Sequence, residues 1–516
     1  MINKRLKIGF NTNDLRVLSK DEEFAVIATA AKDLDFIVCH TDNITDLDTA
    51  IKRAKEIAEI TDKYKLKFVA NFEWQNFNHG KDLTGSYLNV NHADGTHRLE
   101  VHPDFVKALN SKNTLIGLMY DEFEHTIINR NISIAMESRF KTDLPVFPVP
   151  DTKDPIEQGE ILETQLNEYI ENAKVKHGDM LFLGEHVFPV LYHKFATSGI
   201  TPNFKSQKEG ISNIQFSIAA GATLQYNKPL FNCVDMWFML KHPGHDANEM
   251  YNNLKFAYYA GVNYVYVETS NPFFDKTGET KHLNENGRAF IRFANEYANN
   301  ERDYDIQDYH PEIAIIRMDD TYWGQGSVPL PWRNNLFGND KVKPDYKAKE
   351  WLEVFHLLSH GEVPKSSFTW NRINIQALRK HHSFCTLNST VVFDDKVKKE
   401  QLESVKLAFL CGYRISADTL KAVTEMVKDK GMVVVTSKRF APDYILSQVK
   451  GKYCEIIDGK GKWIITDSFS SNKLKKALET YLGKKGEIRL TFKDREIKFN
   501  ISKDKNSITI ISGDTQ

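Results

Sequence analysis

The sequence lacks several things, and each shortage argues against a class of protein. Only 5 of its 516 residues are cysteine, and Cys39, Cys233, Cys385, Cys411 and Cys454 are scattered, with no CxxC or Cys/His spacing. That argues against a disulfide framework and a structural zinc site, and for buried free thiols in a reducing compartment. No apolar run reaches the roughly 18 residues of a membrane span. The amino-terminal MINKRLKIGFNTND passes into a strand pattern without the apolar core of a signal peptide. A soluble, cytoplasmic protein with no membrane partner is expected. Charge of one sign is also missing: 68 Lys and Arg against 69 Asp and Glu leave a net of -1. A general electrostatic grip on nucleic acid needs a basic excess, so no nucleic-acid partner is expected. There is no internal repeat and no low-complexity tract.

The composition is otherwise that of an ordinary globular protein, 41% hydrophobic and 27% charged, with aromatics somewhat rich at 11%. Its length suggests about three domains. Residues 1–305 alternate short apolar runs with helical patterns in eight strand–helix units. The runs are 6–11, 35–40, 67–74, 115–122, 180–185, 200–204, 230–237 and 263–268. The intervening segments carry apolar residues at helical spacing, as at Ile51, Ala54, Ile57 and Ala58. Short, nearly continuous apolar runs are what parallel strands covered by helices require. The expected fold is therefore α/β, a (β/α)8 TIM barrel. A doubly wound sheet is the alternative. It calls for a glycine-rich turn after the first strand, where Asn11-Thr12-Asn13-Asp14 stands instead. Residues 310–450 read as a smaller flavodoxin-like α/β domain, and 451–516 as a small β-rich unit.

Active sites of such barrels lie at the carboxyl ends of the strands. Run two ends in His40, and run three in Asn71, Glu73 and Trp74. Run four ends in Asp121 and Glu122, with His125 beyond. Run five ends in Glu185, run seven in Asp235 and Trp237, and run eight in Glu268. An ionised carboxylate against a packed core must be paired or solvated. Several on one rim shift one another's proton affinity, as general acid/base chemistry requires. With Trp74 and Trp237 as flat platforms for a sugar ring, this is the composition of a glycosidase site.

The three-part plan resembles the family-42 β-galactosidases and related barrel glycosidases, in which a catalytic barrel precedes a flavodoxin-like trimerisation domain and a small β domain. The stretch from Ser389 to Ser437 (STVVFDD…VVVTS) carries the likeness most closely. The resemblance implies glycoside hydrolysis and a homo-oligomer, trimer or dimer. It also implies an acid/base glutamate after an asparagine on strand four and a glutamate nucleophile on strand seven. Glu122 matches the first position, but Asp121 precedes it where the family has asparagine, and Asp235 stands at the second.

The catalytic candidates are thus Glu122 with Glu268, Asp121 with Glu185, or a pair involving Asp235 or Glu73. His40, Asn71, Glu73, Trp74, His125, Asp235 and Trp237 are candidate sugar-binding residues. The substrate class is an oligo- or polysaccharide, with no cofactor or metal. Two rivals stand beside this reading. A metal-dependent sugar isomerase would use Glu185, Asp235 and Glu268 as ligands. A non-catalytic carbohydrate-binding barrel would use none of the carboxyls for chemistry. The loop from Asp319 to Gln325 is expected to pack between domains or to cap a barrel mouth.

Overall fold

The computed structural model describes residues 4–12, 22–41, 46–72, 87–91, 97–128, 147–208, 210–238, 241–268, 270–278, 280–325, 335–365 and 382–512. Glu73 and Trp74 lie outside them.

Eight parallel strands form the barrel: β1 (Lys7–Thr12), β2 (Phe36–His40), β3 (Lys67–Asn71), β4 (Leu115–Asp121), β5 (Leu181–Glu185), β6 (Ile200–Thr201 and Asn203–Ser206), β7 (Phe231–Asp235) and β8 (Tyr264–Glu268). Neighbours in sequence are neighbours in the sheet, and β8 returns to β1. Strand β6 closes the ring in two halves. Ile200–Thr201 pairs with β5 and Asn203–Ser206 with β7. The break falls at Pro202, which has no N–H for the ladder. Further on, β6 reaches β5 again through Lys205 N–H to His186 O at 3.0 Å.

The side-chain period of two explains the barrel's inside. Alternate residues Phe36, Val38, Val69, Met119, Leu183, Phe231, Cys233 and Tyr266 fill the lumen as one apolar cluster. Phe231 stacks flat on Tyr264 with ring centroids 4.1 Å apart. The intervening residues, such as Ile8, Ile37 and Phe68, face outward and join the helices in the larger core. The helix Leu47–Lys63 shows how the sequence specifies this layer. Ala50, Ala54, Ile57 and Ala58 form its buried stripe, and Asp46 caps it by accepting the Thr49 N–H.

The middle domain is a sheet of β9 (Ile313–Ile316), β10 (Thr390–Phe393), β11 (Leu407–Leu410), β12 (Val433–Thr436), β13 (Tyr453–Asp458) and β14 (Gly461–Thr466), in the order β10-β9-β11-β12-β14-β13. All are parallel except β13, a hairpin partner of β14. The boundary expected at residue 450 is therefore corrected, because β13 and β14 belong to this sheet. Val434 on β12 pairs with Trp463 on β14, and Trp463, Ile464 and Ile465 are all buried, which marks a strand covered on both faces. The carboxyl-terminal unit is the antiparallel sheet β15 (Glu487–Thr491), β16 (Glu496–Ile501) and β17 (Ile508–Ser512).

The middle domain packs on the barrel helices Tyr192–Ser198 and Ser212–Tyr226. A Cβ added to Gly221 would lie 1.7 Å from the Val392 carbonyl oxygen on β10, so only glycine permits this approach. The loop after β9 is a docking element. Asp319 accepts the backbone N–H groups of Leu191 (3.1 Å) and His193 (2.9 Å), and the Trp323 ring stacks on Phe188 at 4.5 Å. No helix among the described residues is long and apolar enough to cross a membrane.

Candidate active site

Each barrel strand places one polar residue at or near its carboxyl end in the inward-facing register: Asn11, His40, Asn71, Asp121, Glu185, Lys205, Asp235 and Glu268. They form a ring directly above the apolar lumen. Asn11 Nδ2 lies 2.7 Å from His40 Nε2, and Asn71 Nδ2 lies 3.4 Å from the same atom. Tyr266, one inward layer below Glu268, donates its hydroxyl to Glu185.

Lys205 organises the acidic side of this ring. Its Nζ lies 2.8 Å from Glu268, 3.2 Å from Glu122, 3.3 Å from Glu185, 3.4 Å from Asp235 and 4.0 Å from Asp121. The lysine side chain is only 1% exposed. A second ammonium, Lys208, lies 3.1 Å from Asp235 and 3.8 Å from Glu122. Glu122 joins the ring although strand alternation would turn it away from Asp121. Its φ of 46° puts it in the left-handed region, which bends the chain at the strand end. Such a backbone costs a non-glycine residue about 1–2 kcal/mol and is characteristic of functional sites. His125, on the helix Phe123–Ile128, places Nδ1 3.4 Å from the other Glu122 oxygen and stacks on Phe188 at 4.4 Å.

Charge is divided unevenly among the five carboxyls. Burial would raise Glu122, but Lys205, His125 and Lys208 outweigh it and hold the group well below the carboxylate range. Burial is likewise overcome at Glu185 by Lys205, and at Asp235 by Lys208 and Lys205, which bring Asp235 down to about 2. Asp121 goes the other way: burial and then the Glu185 charge push it well up. Glu268 is also pushed up, by burial and the Asp235 charge. Lys205 stays an ammonium, since the surrounding carboxylates, Glu185 foremost, overcome its burial. The result is three carboxyls held low and two pushed up on one rim.

The structure brings together all four catalytic candidates, with His40, Asn71, His125 and Asp235. Asp121 and Glu185 are sealed in, at 4% and 0% side-chain exposure, whereas Glu122 and Glu268 reach the opening at 14% and 9%. Asn71 is fully buried and holds His40. Trp237 lies at the rim, where its ring stacks on His242 at 4.4 Å.

Lys205, the hub of the site, was not anticipated. The sixth apolar run was ended at Phe204, one residue short of it, whereas the strand continues to Ser206. The signal was its spacing, since residue 205 follows the inward Asn203 by two. Lys208 was also missed. The metal-ligand alternative meets a specific obstacle. Glu185, Cys233 and Glu268 do set ligand atoms within 4.8 Å of one another. The Lys205 ammonium already stands against Glu185 and Glu268, so a cation is built into that position.

A closed eight-stranded barrel with a crowded acidic rim, followed by a parallel α/β domain and a small antiparallel sheet, defines the class of architecture. No protein-family model and no curated protein matches the sequence. Solved structures do match it. A β-galactosidase from the haloarchaeon Halorubrum lacusprofundi superposes with a TM-score of 0.54 at 11% identity, over 96% of this chain and 93% of that one. A GH42 β-galactosidase from G. stearothermophilus gives 0.54 at 9%, over 97% and 93%. A β-galactosidase from Bacillus circulans sp. alkalophilus gives 0.52 at 11%, over 97% and 94%. The chain therefore shares the fold of these β-galactosidases along almost its whole length, with little sequence in common.

Proposed function

We propose that the protein is a glycoside hydrolase acting through Glu122 and Glu268. The observation that carries this reading is the pair itself. The two carboxyls nearest the mouth share one ammonium, and their proton affinities are pushed apart: at Glu122 burial is outweighed by Lys205, His125 and Lys208, whereas burial and the Asp235 charge push Glu268 up. Both are hydrogen-bonded to Lys205 Nζ, at 3.2 and 2.8 Å, so their bonded oxygens stand no more than about 6 Å apart. That separation suits the roughly 5–5.5 Å of a retaining pair better than the roughly 6.5–9.5 Å that leaves room for a water.

In this reading Glu268 is the general acid. It gives its proton to the leaving oxygen while the Glu122 carboxylate attacks the anomeric carbon. Glu268, now ionised, then takes a proton from the water that releases the sugar. The roles are exchanged relative to those the family resemblance implies, because Lys205, Lys208 and His125 surround Glu122 with positive charge. Trp237 supplies a ring face at the rim and His40 a polar contact. The fold shared with β-galactosidases adds support for a carbohydrate substrate.

The test is hydrolysis of aryl glycosides of both anomers. Glu268→Gln and Glu122→Gln should each lower kcat by about 10²–10⁴. With azide, Glu122→Gly should form a glycosyl azide of inverted configuration and Glu268→Gly one of retained configuration. The opposite pattern would reverse the roles. Full activity in both glutamine variants would refute the site.

A further inference from the structure

The acidic ring contains more carboxyls than its ammonium can serve. An ammonium has three N–H donors and no acceptor. Five carboxyl groups lie within 4.0 Å of Lys205 Nζ. Two of its donors go to Glu122 and Glu268. One remains for Glu185 or Asp235. Among the described residues Asp121 Oδ1, Glu185 Oε2 and Asp235 Oδ2 are buried and accept no hydrogen bond, so the ammonium is the charge that faces them.

We propose that Lys205 is the positioning residue of this site: its ammonium serves as the ring's internal counterion and holds Glu122 and Glu268 by its N–H donors. The inference rests on the glycosidase reading for its consequence, since the two carboxyls that Lys205 holds are the two that reading uses. It does not rest on that reading for its structure. Each described element packed against Lys205 takes part. Strand β4 and its turn bring Asp121 and Glu122, β5 brings Glu185, β7 brings Cys233 and Asp235, and β8 brings Tyr266 and Glu268. Lys208 approaches from the loop after β6 itself, and His40 faces Glu185 from β2. The Cys233 thiol and Tyr266 phenol are both held far above their ordinary values, burial being the main cause, and stay neutral. Among the described residues Lys208 is the other lysine of this group, and its ammonium stands within 4.0 Å of Asp235 and Glu122. Lys205 is the ammonium in contact with Glu185 and Glu268.

Removing the ammonium leaves buried carboxyls that must bind protons to stay buried. Their affinity for protons in the folded state rises above that in the unfolded chain. The variant's stability is then present at low pH and lost as pH rises. The experiment is Lys205→Ala, with thermal melting at pH 5 and pH 8 and hydrolysis across the same range. Methylammonium and tetramethylammonium are added at equal ionic strength. The Tm deficit relative to wild type should be larger at pH 8 than at pH 5. Methylammonium, which has N–H donors and fits the vacated space, should raise the variant's Tm at pH 8 and restore hydrolysis at least about tenfold. Tetramethylammonium, which has no donor, should do neither.

An equal Tm deficit at both pH values overturns the proposal, as does equal rescue by the two cations. If Lys205→Ala does not fold, Lys205→Met keeps the bulk, and the same pH comparison decides. If the Tm results hold while no glycoside is cleaved, the role of Lys205 stands and the glycosidase reading falls.

Discussion

Glu124 offers a direct reading of how much a buried carboxyl in this barrel depends on pH. It follows β4 on the helix Phe123–Ile128 and has no exposed surface. Its Oε1 accepts the backbone N–H of Val187 at 2.7 Å and of Phe188 at 3.2 Å. Among the described residues its Oε2 has no hydrogen-bond partner. Burial, and then the nearby Glu122 charge, raise the group from its ordinary 4.5 to about 8 against the pull of those N–H donors. The folded protein thus binds a proton at neutral pH that the unfolded chain releases. The sign follows: the associated stability is fully present below about pH 4.5, declines as pH rises, and is gone above about 8. At about 1.4 kcal/mol per pKa unit, the full swing is on the order of 5 kcal/mol, most of it between pH 5 and 8. Glu124→Gln keeps the bulk and an oxygen for both N–H groups but does not titrate. Urea unfolding of the two proteins at pH 5, 6, 7 and 8 isolates the effect, because the other buried carboxyls cancel in the difference. Wild type should lose about 4 kcal/mol relative to the variant between pH 5 and 8. A difference that stays constant across that range would refute the reasoning.

Three further outcomes are expected. Gly221→Ala gains about 1 kcal/mol of helix propensity but drives a methyl into the Val392 carbonyl 1.7 Å away. The overlap wins, and Tm should fall by the equivalent of about 2 kcal/mol. Asp319→Ala strands the Leu191 and His193 N–H groups at the domain junction, and urea titration should show a loss of about 1–2 kcal/mol that Asp319→Asn partly recovers. Trp323→Ala removes the outer ring of the Trp323–Phe188–His125 stack that backs Glu122. In steady-state hydrolysis kcat should drop about 2- to 10-fold with KM little changed, and Trp323→Phe should restore it.

The barrel was legible because parallel strands buried on both faces leave nearly unbroken apolar runs, and because helices between them repeat at a different period. The acidic strand ends were legible for a related reason: a carboxylate closing an apolar run stands out from its surroundings. Where strands met unusual local chemistry the reading slipped. The sixth run, 200–204, was ended at Phe204 just before the charged Lys205, although the strand continues to Ser206. Glu122 was placed at the rim, but its left-handed backbone, which turns it in beside Asp121, leaves no mark in a one-dimensional pattern. The strands 453–458 and 461–466 alternate like a free hairpin, and only pairing of Val433–Thr436 with Gly461–Thr466 assigns them to the middle sheet.

By itself, then, the sequence determined the order of strands and helices, the barrel, and which residues close each strand, since these follow from local periodicity and from the solvation cost of charge. The tertiary structure decided which carboxyls are sealed and which reach the mouth, that a lysine stands among them, and which of them are pushed up or held low. Those properties depend on distances of about 3–4 Å between residues far apart in the chain. Coulombic energy and desolvation act through space, so they take definite values only once the ring has closed.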